Sequence, residues 1–171
     1  VMRLRLPLLA ALFATFVAFA ANAQPAQKSY WLFAYFRNPG TQGIYLAISS
    51  DGYHFTPLNH DKPWVKPQLP GEVMRDVYLT QGPSHIFRMV WTSGWHGHSL
   101  GYAQSPDLIH WSQQREIPVM QNFPEARNVW APETYWDAAK GKWILVWSSA
   151  VDNTGLGNRI YYSFTRNFHH F

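Results

Sequence analysis

The chain has 171 residues, 47% of them apolar and 14% charged, with no cysteine and a formal net charge of +4. That balance excludes a disordered tail or a collagen, and the missing cysteine excludes a disulfide scaffold, thiolate zinc sites and cysteine nucleophiles. Two of the 14 basic residues, Arg3 and Arg5, fall in a leader-like segment, and no run of five basic residues exists, so nucleic acid is a poor partner.

In chain order the first element is a targeting signal. Met2-Arg3-Leu4-Arg5 is a short basic head, residues 6–21 are apolar, and Ala21-Asn22-Ala23 is a small-x-small cleavage site. This is the order of a secretory signal peptide, here residues 1–23. The apolar stretch is short for a spanning helix, which needs about 20 residues. The expectation is a protein secreted or delivered to a periplasm, with no membrane attachment after cleavage and 148 residues left from Gln24 onward.

The rest of the chain reads as short strands in a repeat. Apolar strands at Trp31 to Tyr35, Phe87 to Trp91 and Trp143 to Trp147 begin 56 residues apart. Each is followed by a second strand: residues 44–49, 100–105 and 160–165. Each second strand runs into a Ser/Thr-x-Asp/Asn turn with an aromatic four residues later: Asp51 and Phe55, Asp107 and Trp111, Asn167 and Phe171. Pro and Gly clusters such as Asn38-Pro39-Gly40 and Gln81-Gly82-Pro83 break any helical period. A repeat of this length with several strands in it predicts propeller blades of four strands. The 17% aromatic content suits an all-β carbohydrate-handling protein better than a helical bundle. About two and a half blades fit in residues 24–171, and a closed propeller needs at least four. The expectation is the N-terminal part of a β-propeller catalytic domain, with its C-terminal blades beyond Phe171 and with exposed sheet edges.

Inner strands are expected just before the paired ones, at residues 73–79 and 128–135, with Met74 and Trp130 again 56 apart. On that spacing Asp76 and Glu133 fall near one pole of the propeller axis. Paired carboxylates flanking a sugar are the minimal equipment of glycoside hydrolysis.

Several motifs in order carry a family likeness. Met74-Arg75-Asp76, Val90-Trp91-Thr92-Ser93-Gly94-Trp95, the run from Leu100 to Trp111, and Asn128-Val129-Trp130-Ala131-Pro132-Glu133 resemble glycoside hydrolase family 43. The likeness runs from about Tyr30 to Phe171. It implies a five-bladed β-propeller of the arabinofuranosidase, xylosidase and arabinanase type, here incomplete, acting by inversion on arabinose- or xylose-containing plant polysaccharides or oligosaccharides. By the resemblance, Asp76 matches the general base, with Val77 where the family commonly has Pro. The family's second Asp and its acid Glu have no match here and are expected beyond Phe171; neither Glu133 nor Asp152 takes those roles. The fragment is therefore expected to be inactive alone.

Trp95 and Trp130 are expected to stack on sugar faces, and Trp91 and Trp147 to fill the core. Arg75 either keeps the neighbouring carboxylate ionised or binds a sugar hydroxyl, and Glu133 belongs near the pocket rim. No metal site is expected at His96-Gly97-His98 or His169-His170, which lack ligands at suitable spacing. No cofactor is expected; calcium, which some family members carry at the channel, has no support in the residues. Two other readings stay open: a propeller hydrolase of other sugars, such as galactan oligosaccharides, and a non-catalytic or degenerate carbohydrate-binding propeller.

Overall fold

The computed structural model describes residues 29–152 and 157–171; the signal peptide expected at 1–23 lies outside the described residues. Three antiparallel sheets follow one another along the chain. The first holds β1 (Trp31–Phe36), β2 (Ile44–Ser49) and β3 (Thr56–Pro57). The second holds β4 (Arg75–Gln81), β5 (Phe87–Thr92), β6 (Leu100–Ser105) and β7 (Arg115–Ile117) in that order. The third holds β8 (Trp130–Asp137), β9 (Lys142–Ser149) and β10 (Arg159–Thr165). No α-helix occurs among the described residues. Ten strands in sheets of three, four and three make a partial β-propeller, two and a half blades' worth of four strands each.

The sheets stack face to face because β5 has period-2 alternation. Met89 and Trp91 pack with Ile44, Val65 and Met74 against the first sheet. Val90 points the other way and packs with Trp143, Leu145 and Phe168 of the third. Each such side chain, once buried, contributes about 1.5–3 kcal/mol. Trp91 and Trp147 are both buried, as the core assignment required. The Trp91 indole needs space on β6: a Cβ at Gly101 would stand 2.1 Å from its Cε2.

The repeated turn closes the second-to-third-strand hairpins. Asp51 Oδ1 accepts the amides of Tyr53 and His54, both at 2.8 Å, and Asp107 Oδ1 accepts those of Ile109 and His110 at 2.9 and 2.8 Å. Asn167 Oδ1 does the same for His169 and His170 after β10, at 2.9 and 3.2 Å. The next residue is left-handed each time: Gly52 at φ 80, Leu108 at φ 68 and Phe168 at φ 61. Glycine adopts that region without cost. Phe168 does so while buried and stacked on Tyr102 at 4.7 Å.

The inner strands carry the same irregularity. β4 pairs with β5 through Arg75↔Thr92 and then Tyr78↔Val90, so Asp76 and Val77 together oppose Trp91. β8 pairs with β9 through Trp130↔Ser148 and then Glu133↔Val146, so Ala131 and Pro132 together oppose Trp147. These are β-bulges, one extra residue on the inner strand. The first bulged residue is left-handed in both, Asp76 at φ 47 and Ala131 at φ 46. The partner strands are 56 residues apart but the inner strands 55, so Asp76 corresponds to Ala131 and Glu133 to Tyr78.

Candidate active site

A bulge turns one side chain out of the sheet's alternation and is a common way to aim a functional group. At the β4 bulge that side chain is Asp76. Its Oδ2 accepts a 2.8 Å hydrogen bond from the Thr92 hydroxyl. Thr92 is the last residue of β5 and only 1% exposed, and its Oγ1 in turn accepts the Ala131 amide at 2.9 Å. A hydroxyl has one proton. One of its two lone pairs receives the Ala131 N–H, and its proton goes to Asp76. Oδ1 of Asp76 has no protein hydrogen bond among the described residues, which leaves it for a water or a substrate hydroxyl.

Val77 stands where Pro132 stands in β8. The same bulge forms with either residue, since proline is tolerated at a bulge and on the end strand of a sheet, where β8 lies. The family's usual proline is therefore not needed to shape this position.

Arg75 links two blades. Its Nη1 donates to Asn38 Oδ1 at 2.8 Å and to the Pro39 carbonyl at 3.3 Å. Its guanidinium lies 4.8 Å from the ring centroids of both Phe36 and Trp95. A cation between two aromatic faces is attracted to both ring quadrupoles. Gly40, at φ 95, gives the arginine stem its room: a Cβ there would stand 2.4 Å from Arg75 Cγ. Trp95, in the β5–β6 loop, is 49% exposed. The half-buried Trp130 donates its indole N–H to the Trp95 carbonyl at 3.2 Å.

These contacts close a circuit. Asp76 meets Thr92, Thr92 meets Ala131, the neighbouring Trp130 meets Trp95, and Trp95 lies on Arg75, which precedes Asp76. The structure thus brings four of the five residues singled out from the sequence into one cluster. Glu133 stands outside that circuit, exposed on β8. It accepts the Tyr135 hydroxyl, and the Tyr135 ring tilts against Tyr78 at 5.2 Å. The Glu133 carboxylate, with the Tyr78 phenol beside it, holds the Tyr135 phenol well above its ordinary range. Thr92 is the member of the cluster to which the sequence assigned no role. Its signal was a hydroxyl closing the apolar run Met89-Val90-Trp91 at a buried strand end.

A cleft of about 370 Å³ lies beside Trp130, lined also by His96, Arg127, Asn128 and Asn158. A larger one of about 460 Å³ runs past Trp147 and Tyr161 to Phe171. Neither cleft has an Asp or Glu in its lining; the smaller one adjoins Trp130, the neighbour of Ala131. Among the described residues no three His, Asp or Glu side chains gather.

A family model described as a probable glycosyl hydrolase domain, of the 43-related type, matches residues 27–171. No curated protein matches the chain. Among solved structures, it is similar to the beta-1,2-mannobiose phosphorylase of Listeria innocua, at 19% identity and a TM-score of 0.56. That match covers 73% of this chain and 33% of that one. It is also similar to an N-acetylgalactosamine deacetylase of F. plautii in complex with blood group B trisaccharide. Identity there is 14% and the TM-score 0.51, over 81% of this chain and 45% of that one. At these identities the likeness shows the fold. The chain spans a third to under half of the length of these two proteins.

Proposed function

We propose, from the premise that the chain belongs to the 43-related glycosyl hydrolase family whose model spans residues 27–171, that it is part of an exported, inverting glycoside hydrolase. Its substrates on this reading are arabinose- or xylose-containing plant polysaccharides or oligosaccharides. Asp76 is the general base. A water beside Oδ1 gives that oxygen its proton and attacks the anomeric carbon. The glycosidic oxygen leaves on the opposite side of the ring and takes a proton from an acid carboxyl, which the family likeness expects outside these residues. Trp95 and Trp130 offer ring faces to the apolar side of a sugar, and the cleft beside Trp130 extends the site toward a second sugar unit.

One observation carries the reading: a half-buried carboxylate at a bulge, fixed through one oxygen by Thr92 and linked through Ala131 and Trp130 to Trp95 and Arg75. Both structural neighbours were solved with sugars bound, which supports a carbohydrate ligand without choosing the sugar.

The test titrates the chain with arabino-, xylo- and galacto-oligosaccharides, followed by NMR. Shifts at Asp76, Trp95 and Trp130 with the pentose oligomers are expected, weakened about tenfold in Trp95→Ala, the loss of one ring contact of roughly 1.4 kcal/mol. Aryl arabinofuranoside turnover by this chain alone is expected to be absent. Turnover abolished by Asp76→Asn would confirm the base and overturn the expected inactivity. Preference for the galacto-oligomers would overturn the substrate class, and no binding of any sugar would overturn the reading.

A further inference from the structure

We propose that Thr92 is the positioning residue for Asp76, and that through it the inner strand of the third sheet sets the orientation of the carboxylate on the second. The proposal rests on the reading of Asp76 as the base. Thr92 spends its hydroxyl on two partners distant in sequence, Asp76 at 2.8 Å and the Ala131 amide at 2.9 Å. Both partners are first residues of bulges with near-identical left-handed φ, 47 and 46. That conformation is uncommon for a residue with a Cβ, and it brings one bulge's side chain and the other's amide to the same buried hydroxyl.

The polarity follows from the chemistry of the hydroxyl. An amide N–H can only donate, so Thr92 Oγ1 must accept from Ala131 and has its one proton left for Asp76. The carboxylate's Oδ2 is thereby held by Thr92 of its own sheet, whose hydroxyl is oriented in turn by the Ala131 amide of the third sheet.

The propeller repeat does not require this arrangement. In the next blade, the position of Asp76 is taken by Ala131 and that of Thr92 by Ser148, so no carboxylate is there to receive a proton. The repeat is broken at the one inner-strand bulge that carries the chemistry.

The experiment reads the Asp76 side chain directly, by three-bond couplings that report its χ1 rotamers, in the whole chain and in Thr92→Val and Thr92→Ser. Valine keeps the shape without the hydroxyl; serine restores the hydroxyl. One dominant Asp76 rotamer is expected in the parent and in Thr92→Ser, and averaged couplings in Thr92→Val. The Ala131 amide should exchange roughly tenfold faster in Thr92→Val, with the Leu145 amide of β9 unchanged. A single Asp76 rotamer in Thr92→Val overturns the positioning role, and an Ala131 amide still protected there overturns the coupling between sheets. If Thr92→Val does not fold, Thr92→Ala gives the same two readouts. The couplings need no sugar, so failure of the positioning role and failure of the base assignment, read by oligosaccharide binding, appear in separate measurements.

Discussion

Arg75 illustrates how much a residue's neighbours decide. Beside a carboxylate it reads as a charge partner or a sugar-hydroxyl donor, but its guanidinium lies between Phe36 and Trp95 and donates to Asn38 and Pro39. A planar cation suits two aromatic faces at once, and an ammonium does not. Each cation–π contact is worth about 0.5–1 kcal/mol where it is exposed. Arg75→Lys is therefore expected to cost about 1–2 kcal/mol in urea unfolding. It should also loosen Trp95, seen as a lower fluorescence anisotropy in a variant whose other tryptophans are replaced by phenylalanine. An unchanged midpoint would mean that the sandwich contributes nothing to the join between the first and second sheets.

The repeated hairpin turn sets the behaviour of the elements in acid. The His54 amide and ring, with the Tyr53 amide, hold the Asp51 carboxyl well below the usual carboxylate range, and the His110 ring and amide do the same for Asp107. Lys140 depresses Asp137 in the β8–β9 turn. A carboxyl depressed in the folded state stabilises the fold above its unfolded pKa, and that stability is lost as pH falls toward the folded value. The thermal midpoint is therefore expected to be flat above about pH 5 and to fall below about pH 4. Asp107→Asn should make the fall shallower, because an amide oxygen still accepts both backbone amides, as Asn167 shows. An equally steep fall in that variant would show that Asp107 contributes nothing to the acid transition.

Across the whole molecule, the middle sheet is covered on both faces and the outer two on one each. Among the described residues β1 pairs only with β2, and β10 only with β9. Both are edges with large apolar side chains in the open: Trp31 is 63% exposed and Ile160 is 75% exposed. Flat apolar edges template pairing with another chain. Concentration-dependent self-association is expected in sedimentation velocity, reduced in an Ile160→Lys, Tyr162→Lys variant by charges on the β10 edge. A chain that sediments as a monomer at all concentrations would show that these edges are not sticky.

The sequence by itself determined what is local. Strand positions, the spacing of 56 residues and the hairpin turns follow from alternation and from Ser or Thr and Asp or Asn at fixed offsets, because a pleated strand and an Asx turn are each specified within a few residues. The burial of Trp91 and Trp147 was legible for the same reason, since each sits in an apolar strand. Tertiary structure decided the register of the inner strands. A bulge is one extra residue opposite a partner strand, and spacing along the chain does not reveal on which side of the hairpin that residue lies. This is why Asp76 and the Ala131 amide, each at a bulge, meet at the Thr92 hydroxyl. The cluster around Asp76 depends on contacts across 16 to 39 residues of chain. Only the stacking of the sheets brings those groups within hydrogen-bonding distance.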